Sequence, residues 1–196
     1  MSNPSPAAVA TPLNQAPALR SITFERGDLQ LDTGLLDFVV RSDVHTWIRR
    51  GGGIVAFGET ARFTTSGPGR FAEAQAWWRE VVAAADVVDP LAQPGSGLVA
   101  FGSFAFSKTS RHLSRLIVPR ILVGSREGKS WITYITDDDR AELSASAAEA
   151  ELAAYLDEVE PERKPCSGDR IAPGILTEEQ WMTAVSRGVA HIRKVS

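Results

Sequence analysis

Apolar residues recur at three- and four-residue steps through RFAEAQAWWREVVAAADVV (70–88). Phe71, Ala74, Trp78, Val81 and Ala85 mark one face, which Trp77 widens, and the spacing predicts a helix over 70–88. The period returns in RAELSASAAEAELAAYLDEVE (140–160), where Leu152, Tyr155, Leu156 and Val159 form the stripe. It returns again after the T-x-x-Q capping box Thr177–Gln180, in Trp181, Val185, Val189 and Ile192. Elsewhere the apolar runs are short and bounded by turn residues, the mark of strands. GGGIVAFG (51–58) and GSGLVAFG (95–102) share one form, G-x-G-[IL]-V-A-F-G, a glycine turn feeding a buried strand. Using one unit twice predicts two related strands of one sheet.

The first of these reads as a strand over 53–65, ended by SGPG (66–69); the second spans 97–106. SITFERGDLQL (21–31) predicts two short strands around Arg26-Gly27-Asp28, and LLDFVVRSDVHTWI (35–48) reads equally as strand or short helix. LIVPRILVG (116–124) and SWITYIT (130–136) flank the turn REGK (126–129), a hairpin in which Pro119 marks an edge or a bulge. Together these predict an α+β fold, a largely antiparallel sheet with flanking helices. Residues 1–19, rich in Ala and Pro, read as a disordered lead-in, 20–160 as one α+β subdomain, and 161–174 as a linker with three prolines. The final helix has reached no cap at HIRKVS, so the pattern predicts that its packing partners lie outside this chain.

Composition excludes several classes. At 43% hydrophobic and 23% charged the chain is of ordinary globular make-up, and a net charge of −3 offers nucleic acid no electrostatic footing. No apolar run approaches the roughly 18 residues that span a bilayer, and the N-terminus has neither the basic nor the apolar region of a secretory signal. Cys166 is the single cysteine, which excludes an intramolecular disulfide and fits a reducing cytosol.

Candidate chemistry is sparse. GGGIVAFGET (51–60) approaches a phosphate-binding loop, but Glu59 stands where that motif needs a lysine and would repel the anion. His45, His112 and His191 fall in no metal-ligand spacing. Asp137-Asp138-Asp139 reads as N-terminal capping of the helix that follows, where negative charge suits the dipole. Lys108, Arg111, Arg115 and Arg120 read as a solvated basic patch, Trp77-Trp78 as core, and Ser125 and Lys129 match no nucleophile motif. No residue is assigned a catalytic or metal role, and the substrate-binding residues are unknown.

The order of motifs adds what single motifs do not. WIRRGGGIVAFGE (47–59), the Trp77-Trp78 helix, GSGLVAFGSFAF (95–106), Val118-Pro119-Arg120 and Trp181 in a capped helix follow one another. That order resembles the N-terminal half of isochorismate synthases, members of the chorismate-utilising enzyme family, over residues 20–196. The resemblance implies Mg²⁺-dependent addition of water to C2 of chorismate with loss of the C4 hydroxyl, serving menaquinone or siderophore biosynthesis. It implies a lysine base, a glutamate acid and further glutamates on Mg²⁺, all beyond this chain, so that 175–196 begins a catalytic domain and the chain alone is inactive. Lys194 follows Ile192 too closely to be the base lysine, whose strand comes after the helix. Leu35-Leu36-Asp37-Phe38 lacks the Glu-Ser of the tryptophan-binding L-L-E-S of anthranilate synthases. Salicylate synthases remain open, as does a non-catalytic module that binds a partner through an unpaired sheet.

Overall fold

The structure, a computed structural model, describes residues 15–27, 34–39, 43–157 and 174–195. They belong to two compact units, Met1–Glu160 and Pro161–Ser196. The first runs β1 (Arg20–Glu25), a 3-10 turn (Leu35–Phe38), β2 (His45–Arg49), β3 (Gly52–Phe57), β4 (Ala61–Thr65), α1 (Arg70–Ala84), β5 (Asp86–Val88), β6 (Phe101–Ser103), β7 (Ser114–Val118), β8 (Ile121–Arg126), β9 (Lys129–Thr136) and α2 (Ala145–Asp157). The second holds α3 (Glu178–Val195). Six strands pair in the order β2-β3-β8-β9-β1-β5 and three in the order β4-β7-β6. Among these pairings β1–β5 is parallel and the others antiparallel, so the fold is α+β and largely antiparallel, as the pattern predicts. The second predicted strand of 21–31, Val159 and most of the 161–174 linker, with Cys166, lie outside the described residues.

The predicted single strand over 53–65 is two strands in two sheets. Its partner breaks at the same level: β3 pairs β8 up to Phe57↔Ile121, and β4 pairs β7 from Ala61↔Val118. Gly58 turns the first strand with φ +62, a left-handed conformation that disfavours other residues. Pro119 interrupts the second, having no N–H to donate. The corner is closed by N–H of Arg120 donating to the Phe57 carbonyl at 3.0 Å and N–H of Thr60 donating to that of Val118 at 2.9 Å. Pro119 therefore ends β7 rather than marking an edge or bulge within one strand. The hairpin of β8 and β9 is as expected, turning through Glu127 and Gly128, both at positive φ (52 and 78), the type I′ geometry that matches strand twist.

The second copy of the repeat corrects a larger expectation. Only Phe101–Ser103 of 97–106 is strand, and it lies in the three-stranded sheet, apart from β3. Helix α1 ends at Ala84, and Asp86–Val88 pairs alongside β1 instead of extending the helix. Its buried stripe is Arg70, Ala74, Trp77 and Val81, while Phe71 is exposed. Arg70 is tolerated there because its guanidinium donates to the carbonyls of Gly67, Ala105 and Phe106 at 2.9–3.0 Å. Trp77 stacks on Phe63 with ring centroids 5.4 Å apart, so the tryptophan pair serves the core.

Helix α2 begins too late to be capped by Asp137–Asp139. Ser144 caps it, its Oγ accepting the Ala147 N–H at 3.2 Å, while Asp138 Oδ1 accepts the Arg140 N–H in a turn upstream. The cap of α3 is the predicted box: N–H of Gln180 donates to Thr177 Oγ1 and N–H of Thr177 donates to Gln180 Oε1. Trp181, Val185, Val189 and Ile192 along it are exposed.

Strand alternation divides the core. Val55, Phe57, Ile121, Val123, Ile132 and Tyr134 pack against Leu152 of α2 and against Leu35 and Phe38. Ile54, Ala56, Leu122 and Trp131 point to the opposite face, where Leu91, Val99 and Phe101 cover them. Ala61, Phe63 and Val118 of the smaller sheet meet α1.

Candidate functional site: a groove between two sheet edges

Alternation also decides which side chains meet where the two sheets face each other. On β2, His45 and Trp47 share a face, opposite Ala56 and Ile54 of β3. On the smaller sheet Phe101 pairs with Ile117 and Ser103 with Arg115, putting those four on one face. The two sets line a groove of about 670 Å³, joined by Val99 and Leu113. His45 stacks on Phe101 with centroids 5.5 Å apart and an interplanar angle of 29°. Trp47 stands 73% exposed at the mouth.

The polar groups of the groove are few: His45, Thr46, Ser103 and Arg115. Among the described residues Arg115 is its one charged lining residue, and no described Asp or Glu lines it. Among its described lining residues there is no carboxylic acid or lysine to serve as a general acid or base.

A second polar cluster lies at the sheet corner. The Arg120 guanidinium donates to Glu151 of α2 and lies 5.8 Å from the Tyr134 ring centroid. Burial works to lower the Arg120 pKa, but the Glu151 hydrogen bond and charge outweigh it, so the pKa is raised and the cation retained. Arg120 thus fastens α2 to the corner and does not join Lys108, Arg111 and Arg115 in a patch. Of those four basic residues, Arg115 alone lines the groove.

The remaining sequence candidates disperse. GGGIVAFG is strand β3, paired on both sides, with its amides engaged in ladders instead of cradling phosphate. Glu59 pairs with Arg62. His45 and His112 belong to one unit and His191 to the other. Lys194 lies in the last turn of α3. Among the described residues no three His, Cys, Asp or Glu converge to hold a metal, so none of them is assigned to Mg²⁺. The groove itself escaped sequence reading: the alternation Phe101/Ser103 and Arg115/Ile117 was present, but nothing local says that β2 faces it.

The unit is thus α+β, two largely antiparallel sheets joined at a corner with a groove between them. A family model described as chorismate binding enzyme matches residues 45–196, and the chain belongs to that family. No curated protein and no solved structure matches it. Among the described residues no helix is long and apolar enough to cross a membrane.

Proposed function

We propose that this chain is the N-terminal portion of an isochorismate synthase, a cytoplasmic enzyme serving menaquinone or siderophore biosynthesis. The match to the chorismate-binding family over residues 45–196 carries the reading. In the proposed reaction water adds at C2 of chorismate and the C4 hydroxyl leaves as water, so atoms balance and no oxidant is needed. The lysine base, the glutamate acid and the carboxylates for Mg²⁺ belong, in this proposal, to a catalytic half outside these residues. The corner and the two sheets are its supporting frame.

One observation favours this branch over anthranilate synthesis. Leu35 and Phe38 are buried against Val55 and Val123, so the segment at the L-L-E-S position packs the core, and it lacks the Glu-Ser pair. Chromatography of chorismate incubated with this chain and Mg²⁺ tests the proposal: no conversion is expected. Isochorismate formed by the chain alone would overturn the assignment of catalysis to another half. With the catalytic half joined to it, isochorismate is the expected product; salicylate with pyruvate, or anthranilate with pyruvate when ammonia is supplied, would reject the isochorismate branch.

A further inference from the structure

The reaction proposed above assigns no residue of the groove a role, and the groove's described lining combines aromatic surface with a cation. We propose that it binds a small aromatic monocarboxylate, independently of which reaction the family member catalyses. Its volume, about 670 Å³, falls in the range of small-molecule sites. Phe101, Trp47 and Ile54 offer flat and apolar surface to a ring, and the His45–Phe101 stack closes one side.

Charge selects the rest of the ligand. Arg20, Arg62, Arg70 and Arg120 each donate to a carbonyl or a carboxylate. Arg115 lines the groove, and among the described residues its guanidinium donates to none. A planar guanidinium with free donors matches a carboxylate bidentately. A single cation among neutral described neighbours suits one negative charge. The second carboxylate of chorismate would find no further cation among the described lining residues. Ser103, directly across the strand pair from Arg115, can donate to the same carboxylate.

Titration calorimetry of the whole chain with benzoate tests this, and it is separable from the chorismate assay because no turnover is read. Saturable binding is expected, with benzyl alcohol, the uncharged analogue, at least tenfold weaker. Arg115→Gln should weaken benzoate at least tenfold, and Arg111→Gln, in the neighbouring loop, should leave it within twofold. Ser103→Asp, which sets a carboxylate beside Arg115, is a second route to the same loss should Arg115→Gln melt early. No saturable benzoate binding up to about 20 mM, where affinity falls below about 2.3 kcal/mol, overturns the proposal. So does a loss smaller than tenfold in folded Arg115→Gln or Ser103→Asp protein.

Discussion

Residues 51–58 and 95–102 share the form G-x-G-[IL]-V-A-F-G but meet different fates. The first becomes β3, laddered to β2 and β8 on its two sides, with Val55, Ala56 and Phe57 all at 1% exposure or less. The second stays irregular until Phe101, and its Leu98, Val99, Ala100 and Phe101 are half-buried. Side chains tether its irregular part in place of ladders. Trp131 Nε1 donates to the Gly95 carbonyl at 3.3 Å, and the Gly97 N–H donates to Thr23 Oγ1 at 3.2 Å. The prolines at 90 and 94 precede the second copy, whereas β2 runs directly into the first. A β-prone segment becomes a strand when a partner's unpaired edge is at hand; otherwise it can serve as cover for a sheet that is already complete. Here the second copy lies over Ile54 of the first.

The sharpest way to break this contrast is to truncate the matched phenylalanines. Phe57→Ala should destabilise by about 3–5 kcal/mol, and Phe101→Ala by about 1–2 kcal/mol because its ring is only partly removed from water. Urea unfolding monitored by circular dichroism measures both, and equal losses would show that the two copies are packed alike. The closing glycines come next. Gly58 has φ +62, and a Cβ there would lie 2.0 Å from Tyr155 Oη. At Gly102 the nearest atoms are Phe104 Cε2 at 3.0 Å and Leu116 Cδ2 at 3.2 Å, with ordinary φ. Gly58→Ala should therefore cost about 1–3 kcal/mol and Gly102→Ala less than about 1 kcal/mol. Thermal melts that reverse this order would remove the corner as the reason for Gly58. The tether comes last. Thr23→Val leaves the buried Gly97 N–H and the Thr133 hydroxyl without their shared partner, at about 1–2 kcal/mol. Amide exchange should quicken at Gly97 while β3 amides keep their rates; uniform quickening would mean that the tether belongs to the sheet's global stability.

Much of the architecture was legible because its causes are local. The Thr177–Gln180 box, the Glu127-Gly128 turn and the period of α1 each depend on residues within one turn of one another. The misreadings are equally physical. Phe71 and Trp78 seemed the natural face of α1, yet Arg70 and Trp77 are buried, because three carbonyls await the guanidinium and Phe63 awaits the indole. Asp137–Asp139 looked like a cap, but Ser144 sits at the true helix start. The groove was invisible because His45, Phe101 and Arg115 are united only when the two sheet edges face each other.

By itself the sequence determined the kinds of elements, the antiparallel α+β class, the capped final helix and the family resemblance, since these follow from periodicity, turn chemistry and motif order. Tertiary structure decided that one long ribbon bends at Gly58 and Pro119 into two sheets, that twin segments become strand and cover, and that a lone arginine faces an aromatic groove. Those outcomes rest on contacts between residues far apart in the chain, where the free energy of a segment depends on which partner it finds.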